Sequence, residues 1–222
     1  GMYSGTSDYR KDAMNVVAQL PELVAAIYRI RSGWGDLIES KPELGYMENF
    51  VYMMSPPNAN EHLTKLMKVF NILHYDHSGG NLSTFVGKAI ASGLEDMYGS
   101  LMGAMSALAG PLHGMANQEC LVFLKESLQN VSDPTDKEAV NAYLEKLFAE
   151  GKKVYGFGHA VLRVEDPRAT VEYELGEEIA KDSPIFRMAV SMRTVGTEFL
   201  KRQPKVSNPY PNVDAVSGSL LT

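Results

Sequence analysis

Strict alternation of apolar and polar residues is nearly absent from this chain, and three- and four-residue spacing takes its place. Leu94, Met97, Tyr98, Leu101, Met102, Met105 and Leu108 follow i, i+3, i+4, i+7 steps. Gly99, Gly103, Ala104, Ala107 and Ala109 fill much of what remains. A helix that is apolar or small on both faces is expected to be buried all round, in a large core or against another subunit. Helical spacing also runs through 16–28, 61–76, 82–92, 112–130, 135–149, 169–181 and 184–200, with a last segment after Asp214. The fold class this predicts is all-α.

Breakers punctuate the pattern. Pro21 is expected to break or restart the first helix, because it has no N–H to donate. Residues 36–60, with Pro42, Pro56 and Pro57, read as loop-rich. In 61–76 the buried side is expected to carry Leu63, Leu66, Met67, Phe70, Ile72 and Leu73. Gly110-Pro111 separates two helices, and a domain boundary falls most naturally near 110–118. Residues 151–168 form a loop with three glycines, and 201–213 an extended connection with three prolines.

The 222 residues allow one large domain or two small ones. A net charge of -6 leaves no basic excess for nucleic acid. The single cysteine, Cys120, rules out an internal disulfide framework and fits a reducing compartment. No apolar run reaches the ~20 residues of a membrane span, and no secretory signal pattern opens the chain. Gly1-Met2 reads as a remnant of cloning, and Ser219-Leu220-Leu221-Thr222 stops inside an apolar segment without a terminating signal, so a piece of a longer protein is expected.

Four of the five histidines (His74, His77, His113, His159) lie in or near glycine-containing turns, where a ligand can approach closely. His113 is placed in the first turn of a helix, where the dipole favours a neutral imidazole able to donate to a developing oxyanion. The alternative is a capping or packing histidine. His159 follows Gly156-Phe157-Gly158, read as a flexible loop rather than a dinucleotide fingerprint, since no βαβ unit surrounds it. Lys152, Lys153, Arg163 and Arg168 make either a solvated face or a clamp for carboxylates and phosphates. Asp214, between Val213 and Ala215, is either a helix-start charge or a general base. His74, Asp76 and His77 could offer metal ligands, with His113 or His159 completing a set, but the spacing matches no known zinc motif.

The chain resembles citrate synthase, nearest to the mitochondrial type and its bacterial relatives. The resemblance rests on D-H-S-G-G-N at 76–81, G-P-L-H-G-M-A-N-Q-E at 110–119, G-F-G-H-A-V-L-R at 156–163, D-P-R at 166–168 and N-P-Y-P-N-V-D-A-V-S-G at 208–218. It implies a multi-helical fold, with 1–112 part of a large domain, 113–218 a small domain and 219–222 the start of a return to the large one. It also implies condensation of acetyl-CoA with oxaloacetate to citrate and CoA through an enol. His113 would stabilise the enol, Asp214 would take the methyl proton and His159 would polarise the oxaloacetate carbonyl. His77 and Arg168 would hold oxaloacetate. Arg163, with Val154, Gly156, Phe157 and Gly158, would lie at CoA. No metal and no cofactor are implied, acetyl-CoA being a substrate. The implied partner is a second copy in a homodimer. The implied compartment is the cytoplasm of a bacterium or the mitochondrial matrix of a eukaryote. Family arginines lie beyond the last residue here, so the chain by itself is expected to be weakly active or inactive. A 2-methylcitrate synthase and a non-catalytic, metabolite-binding relative are the alternatives.

Overall fold

A computed structural model of the chain describes residues 8–76 and 78–222. Among them the regular structure is helical, apart from one isolated antiparallel bridge between Phe157 and Pro211. The all-α expectation therefore holds. The chain divides into two compact units, Gly1–Gly110 and Pro111–Thr222.

The first unit holds α1 (Tyr9–Ser32), α2 (Tyr46–Met54), α3 (Leu63–His74), α4 (Leu82–Ser92) and α5 (Met97–Leu108). Pro21 does not interrupt α1, contrary to expectation. Its missing N–H leaves the Val17 carbonyl without an intrahelical partner. The Tyr46 hydroxyl donates to that carbonyl at 2.8 Å, so the lost bond is replaced from outside the helix. The region 36–60 is not merely loop: α2 forms there. Glu48 Oε2 accepts from the Gly45 N–H at 2.9 Å, and Phe50, Met53 and Met54 are buried. Buried Arg29 donates to the carbonyls of Asp36 and Met54, at 2.7 and 3.0 Å, and so ties the 33–36 turn to the end of α2.

In this unit Ile72 of α3 departs from its expected burial, and α5 is not buried all round within the unit. In α3 the buried residue is Leu66, and Ile72 is 67% exposed. In α5 the buried residue is Ser100, while Met102 is 71% exposed and Tyr98 and Met105 also face outward. Within the unit α5 packs against α4 and touches α1. The α4–α5 contact is close because Gly103 has no side chain: a Cβ there would run into Ile90 Cδ1.

The second unit holds α6 (Ala116–Asn130), α7 (Lys137–Ala149), α8 (Pro167–Ile179), α9 (Pro184–Ser191), a π-turn (Met192–Gly196), α10 (Thr197–Lys201) and α11 (Asp214–Leu220). Asp136, Asp166 and Ser183 cap α7, α8 and α9 through their side chains, and Pro167 and Pro184 take first-turn positions. The core gathers Leu124, Val140, Leu144, Tyr173, Phe186, Met188 and Val216. Helix α11 packs against α6, α8 and α9. Its Ala215, Val216, Ser217, Gly218 and Ser219 are all buried, and small side chains let the neighbouring helices approach. Asp214 is thereby fixed where these helices meet.

Candidate active site

The site is built in the second unit from two loops joined backbone to backbone. Gly158 N–H donates to Tyr210 O at 2.9 Å, and Asn212 N–H donates to Gly156 O at 2.9 Å. Asn212 Nδ2 donates to Gly158 O at 2.8 Å, and Asp166 N–H to Pro211 O at 3.0 Å. Asn208 Nδ2 adds a bond of 2.8 Å to Leu162 O. These bonds satisfy loop groups that would otherwise be stranded on burial. They seat the 156–163 turn on the 208–214 segment.

Gly156 is the pivot. Its φ is +84°, and a Cβ would lie 2.8 Å from Ala215 Cα and 3.0 Å from Cys120 Sγ. Only glycine meets both demands. The loop, α6 and α11 therefore converge on one residue. Val154 and Phe157 pack against the unit's core.

His159 has a defined tautomer. Its Nδ1 accepts from the N–H groups of Val161 and Leu162, each at 3.0 Å. A neutral ring in this setting carries its proton on Nε2 and presents it as a donor. Arg163 turns back on the same loop, with Nη1 donating to the carbonyls of His159 and Leu162 at 2.8 and 2.9 Å.

Arg168 sits in the first turn of α8 and forms a fork with Asp166. Nε donates to Oδ1 at 3.1 Å and Nη2 to Oδ2 at 2.7 Å. Asp166 is 1% exposed. Burial alone would raise its carboxyl, but the bonds and charge of Arg168 outweigh that and hold it below the usual carboxylate range. The four cations do not form one basic cluster: Lys152 pairs with Glu150 at 2.8 Å, while Arg163 and Arg168 have the partners just given. Arg193 of the π-turn grips Glu165 (Nε to Oε2, 2.8 Å) and lies over the Tyr173 ring. It buttresses the residue next to Asp166.

Asp214 opens α11, its N–H donating to Asn212 Oδ1 at 3.0 Å, and it is half-buried between buried Val213 and Ala215. Its charge reaches Arg168 and Glu172. His113 belongs to the same unit but not to a helical turn. Helix α6 starts at Ala116, and 111–115 is a run of turns in which Ala116 N–H donates to His113 O at 3.0 Å. The dipole argument for a neutral His113 weakens accordingly, because the effect fades outside the first turn. The Asn117 side chain, in the first turn of α6, hydrogen-bonds Ser217, one turn after Asp214.

His77 lies outside the described residues. His74 is occupied structurally, its Nδ1 2.7 Å from Phe70 O and its ring stacked on Phe70. Among the described residues no group of three His, Cys, Asp or Glu is placed to hold a metal. A depression of about 430 Å³ lined by Lys137, Asn141, Thr194 and Arg202 contains none of the residues singled out from the sequence. Sequence reasoning missed Asp166, Asn208 and Asn212 as organisers, although an Asp before Pro-Arg and an Asn before Val-Asp are turn and cap signals. It also missed Glu172, although its i, i+4 spacing from Arg168 is that of a helical ion pair.

The assembled groups are an imidazole whose Nδ1 is taken up by backbone N–H groups, an arginine paired with a buried carboxylate and an acid between buried apolar residues, all on an all-α scaffold. The family model described as citrate synthase, C-terminal domain, matches residues 2–222. The chain belongs to the citrate synthase family. It is 38% identical over 211 residues to the mitochondrial citrate synthase 4 of Arabidopsis thaliana, covering 95% of this chain and 44% of the relative. It is 39% identical, with the same coverage, to the mitochondrial citrate synthase of Solanum tuberosum. The structure matches citrate synthase from Thermotoga maritima with a TM-score of 0.78 and 33% identity, over 96% of this chain and 55% of that one. It also matches the Thermoplasma acidophilum enzyme in a ternary complex with carboxymethyl coenzyme A and oxaloacetate, with a TM-score of 0.79 and 25% identity, over 99% of this chain and 57% of that one. The chain spans less than half the length of these curated plant relatives. Their names place them in mitochondria, at odds with the cytoplasmic expectation and in line with the mitochondrial alternative. No described helix is long and apolar enough to cross a membrane.

Proposed function

We propose that the protein condenses acetyl-CoA with oxaloacetate, giving citryl-CoA and then citrate and CoA. The observation that carries this reading is the joining of the 156–163 turn to the 208–214 segment. It holds His159, Arg168 and Asp214 in one unit with a defined hydrogen-bond pattern. Arg168 receives an oxaloacetate carboxylate on the guanidinium N–H groups that its two bonds to Asp166 do not use. His159 Nε2–H donates to the oxaloacetate carbonyl. A thioester methyl proton is a very weak acid, so its removal requires a base and an oxyanion donor acting together. Asp214 takes that proton and His113 donates to the thioester oxygen as the enol forms. The enol carbon then bonds to the oxaloacetate carbonyl carbon, whose oxygen takes the proton from His159. Water hydrolyses the thioester and releases CoA. His77 contributes to the oxaloacetate site, and Arg163 with the 154–158 backbone to CoA.

Two properties complete the reading. The outward Tyr98, Met102 and Met105 of α5 support a homodimer. The names of the plant relatives support a mitochondrial matrix location. The test is oxaloacetate-dependent release of CoA thiol from acetyl-CoA by the complete polypeptide. Asp214→Asn and His113→Ala should each lower turnover ~10²- to 10⁴-fold. Full activity in either variant removes that residue from its role, and no thiol release by the wild type overturns the reading.

A further inference from the structure

Glu172 is one of two fully buried carboxylates of the second unit and, unlike Asp166, is not hydrogen-bonded to a cation. It is 0% exposed, and neither carboxylate oxygen has a hydrogen-bond partner among the described residues. It follows Arg168 by one turn on α8, the spacing at which an Arg–Glu pair is expected. The guanidinium is instead committed to Asp166 through two bonds. The charged groups around Glu172 are Arg168 and Asp166 on its own helix and cap, and Asp214 from α11. The buried Tyr173 hydroxyl and Cys120 thiol, from α8 and α6, also face this cluster. Three carboxylates thus surround one guanidinium.

An ionised carboxylate buried without partners is very costly, and such a group holds its proton instead. Beside it, Asp166 has the guanidinium and Asp214 is half-buried, so Glu172 is the member that remains neutral. Burial pushes its carboxyl up to about 8, against a smaller opposing pull from Arg168.

We propose that Glu172 is a positioning residue of the oxaloacetate site: uncharged, it leaves the Arg168 charge available to a substrate carboxylate, and ionised, it neutralises that charge and weakens substrate binding. This rests on the reading of Arg168 as the carboxylate receptor. The identity of residue 172 thereby sets the alkaline limit of substrate binding.

Two measurements on the complete polypeptide, wild type and Glu172→Gln, test it. The first needs no ligand. Glutamate titrates higher in the folded chain than in the unfolded one, so the folded state holds a proton that the unfolded state releases. Wild-type stability should therefore fall as pH rises from about 4.5 toward about 8 and level off above, and Glu172→Gln should lack that component. The second is the oxaloacetate dissociation constant by calorimetry at pH 7 and pH 9.5. The ratio of the two constants should be about tenfold in wild type and near one in the variant. Equal ratios in both proteins overturn the proposal and leave the site reading standing. No binding by either protein at pH 7 overturns the site reading and this proposal with it. Should the variant not fold, carboxyl-carbon NMR of the wild type decides. A glutamate resonance titrating near 8 and shifted by oxaloacetate supports the proposal, and its absence overturns it.

Discussion

The two units solve the same problem with unequal means. In Pro111–Thr222 one continuous core runs from Cys120 to Val216 and draws on every long helix of the unit. In Gly1–Gly110 the buried apolar cluster is Ala25, Phe50, Met53 and Met54. Its helices leave Met14, Leu23, Ile30, Ile72, Phe85 and Met102 more than half exposed. Helical spacing runs through both, so an amphipathic pattern guarantees an apolar face and not a buried one. The unit with the deeper core is also the one that carries His159, Arg168 and Asp214. A chemical site needs side chains held within fractions of an ångström, which only dense packing supplies.

The contrast can be broken most forcefully in the cores themselves. Phe186 is 0% exposed and its ring lies against Gly176. Phe186→Ala should lower unfolding free energy by about 3–5 kcal/mol in urea titrations. Ile72→Ala, at a site 67% exposed, should stay within about 0.5 kcal/mol. Equal losses would mean that the packing difference has no energetic content.

Next come the two crowded glycines. Gly156→Ala forces a positive φ on a Cβ that meets backbone, and should lose about 2–4 kcal/mol. Gly103→Ala meets the flexible end of Ile90 and gains helix propensity, so a net change within about 1 kcal/mol is expected by thermal unfolding.

Acid sharpens the comparison further. The Asp166 carboxyl titrates lower in the folded chain than in the unfolded one. Its contribution is therefore present above the ordinary carboxylate range and is lost as pH falls through the depressed value. Asp166→Asn should cost about 2–4 kcal/mol at pH 7 and flatten the acid limb of a stability–pH curve. Glu48 is paired with Lys68 on the surface of the first unit, and Glu48→Gln should flatten the acid limb far less. A modest effect belongs to Tyr46→Phe. It strips the hydroxyl from the Val17 carbonyl and should cost about 0.5–1.5 kcal/mol, seen as faster amide exchange around Pro21.

Much of the architecture was legible in the residues. The helical class, the break at Gly110-Pro111 and the glycine loop at 151–168 all follow from local rules. The readings that failed were those needing a distant partner. Pro21 stays helical because Tyr46 supplies a donor. Helix α2 forms among prolines because Phe50, Met53 and Met54 find a common core. His113 falls outside the helix it was assigned to, since a cap boundary shifts by a few residues at small energetic cost. Site motifs could be recognised one by one, but not the bonds by which Asn208 and Asn212 join two of them.

The sequence by itself determined which residues could do chemistry and that they would ride on helices, because side-chain type and 3.6-residue spacing are local properties. Only the tertiary structure decided that Asn208 and Asn212 seat the 156–163 turn on the 208–214 segment and that Glu172 is buried with no hydrogen-bond partner among the described residues. Those outcomes depend on burial and on contacts across tens of residues, and no neighbour along the chain encodes them.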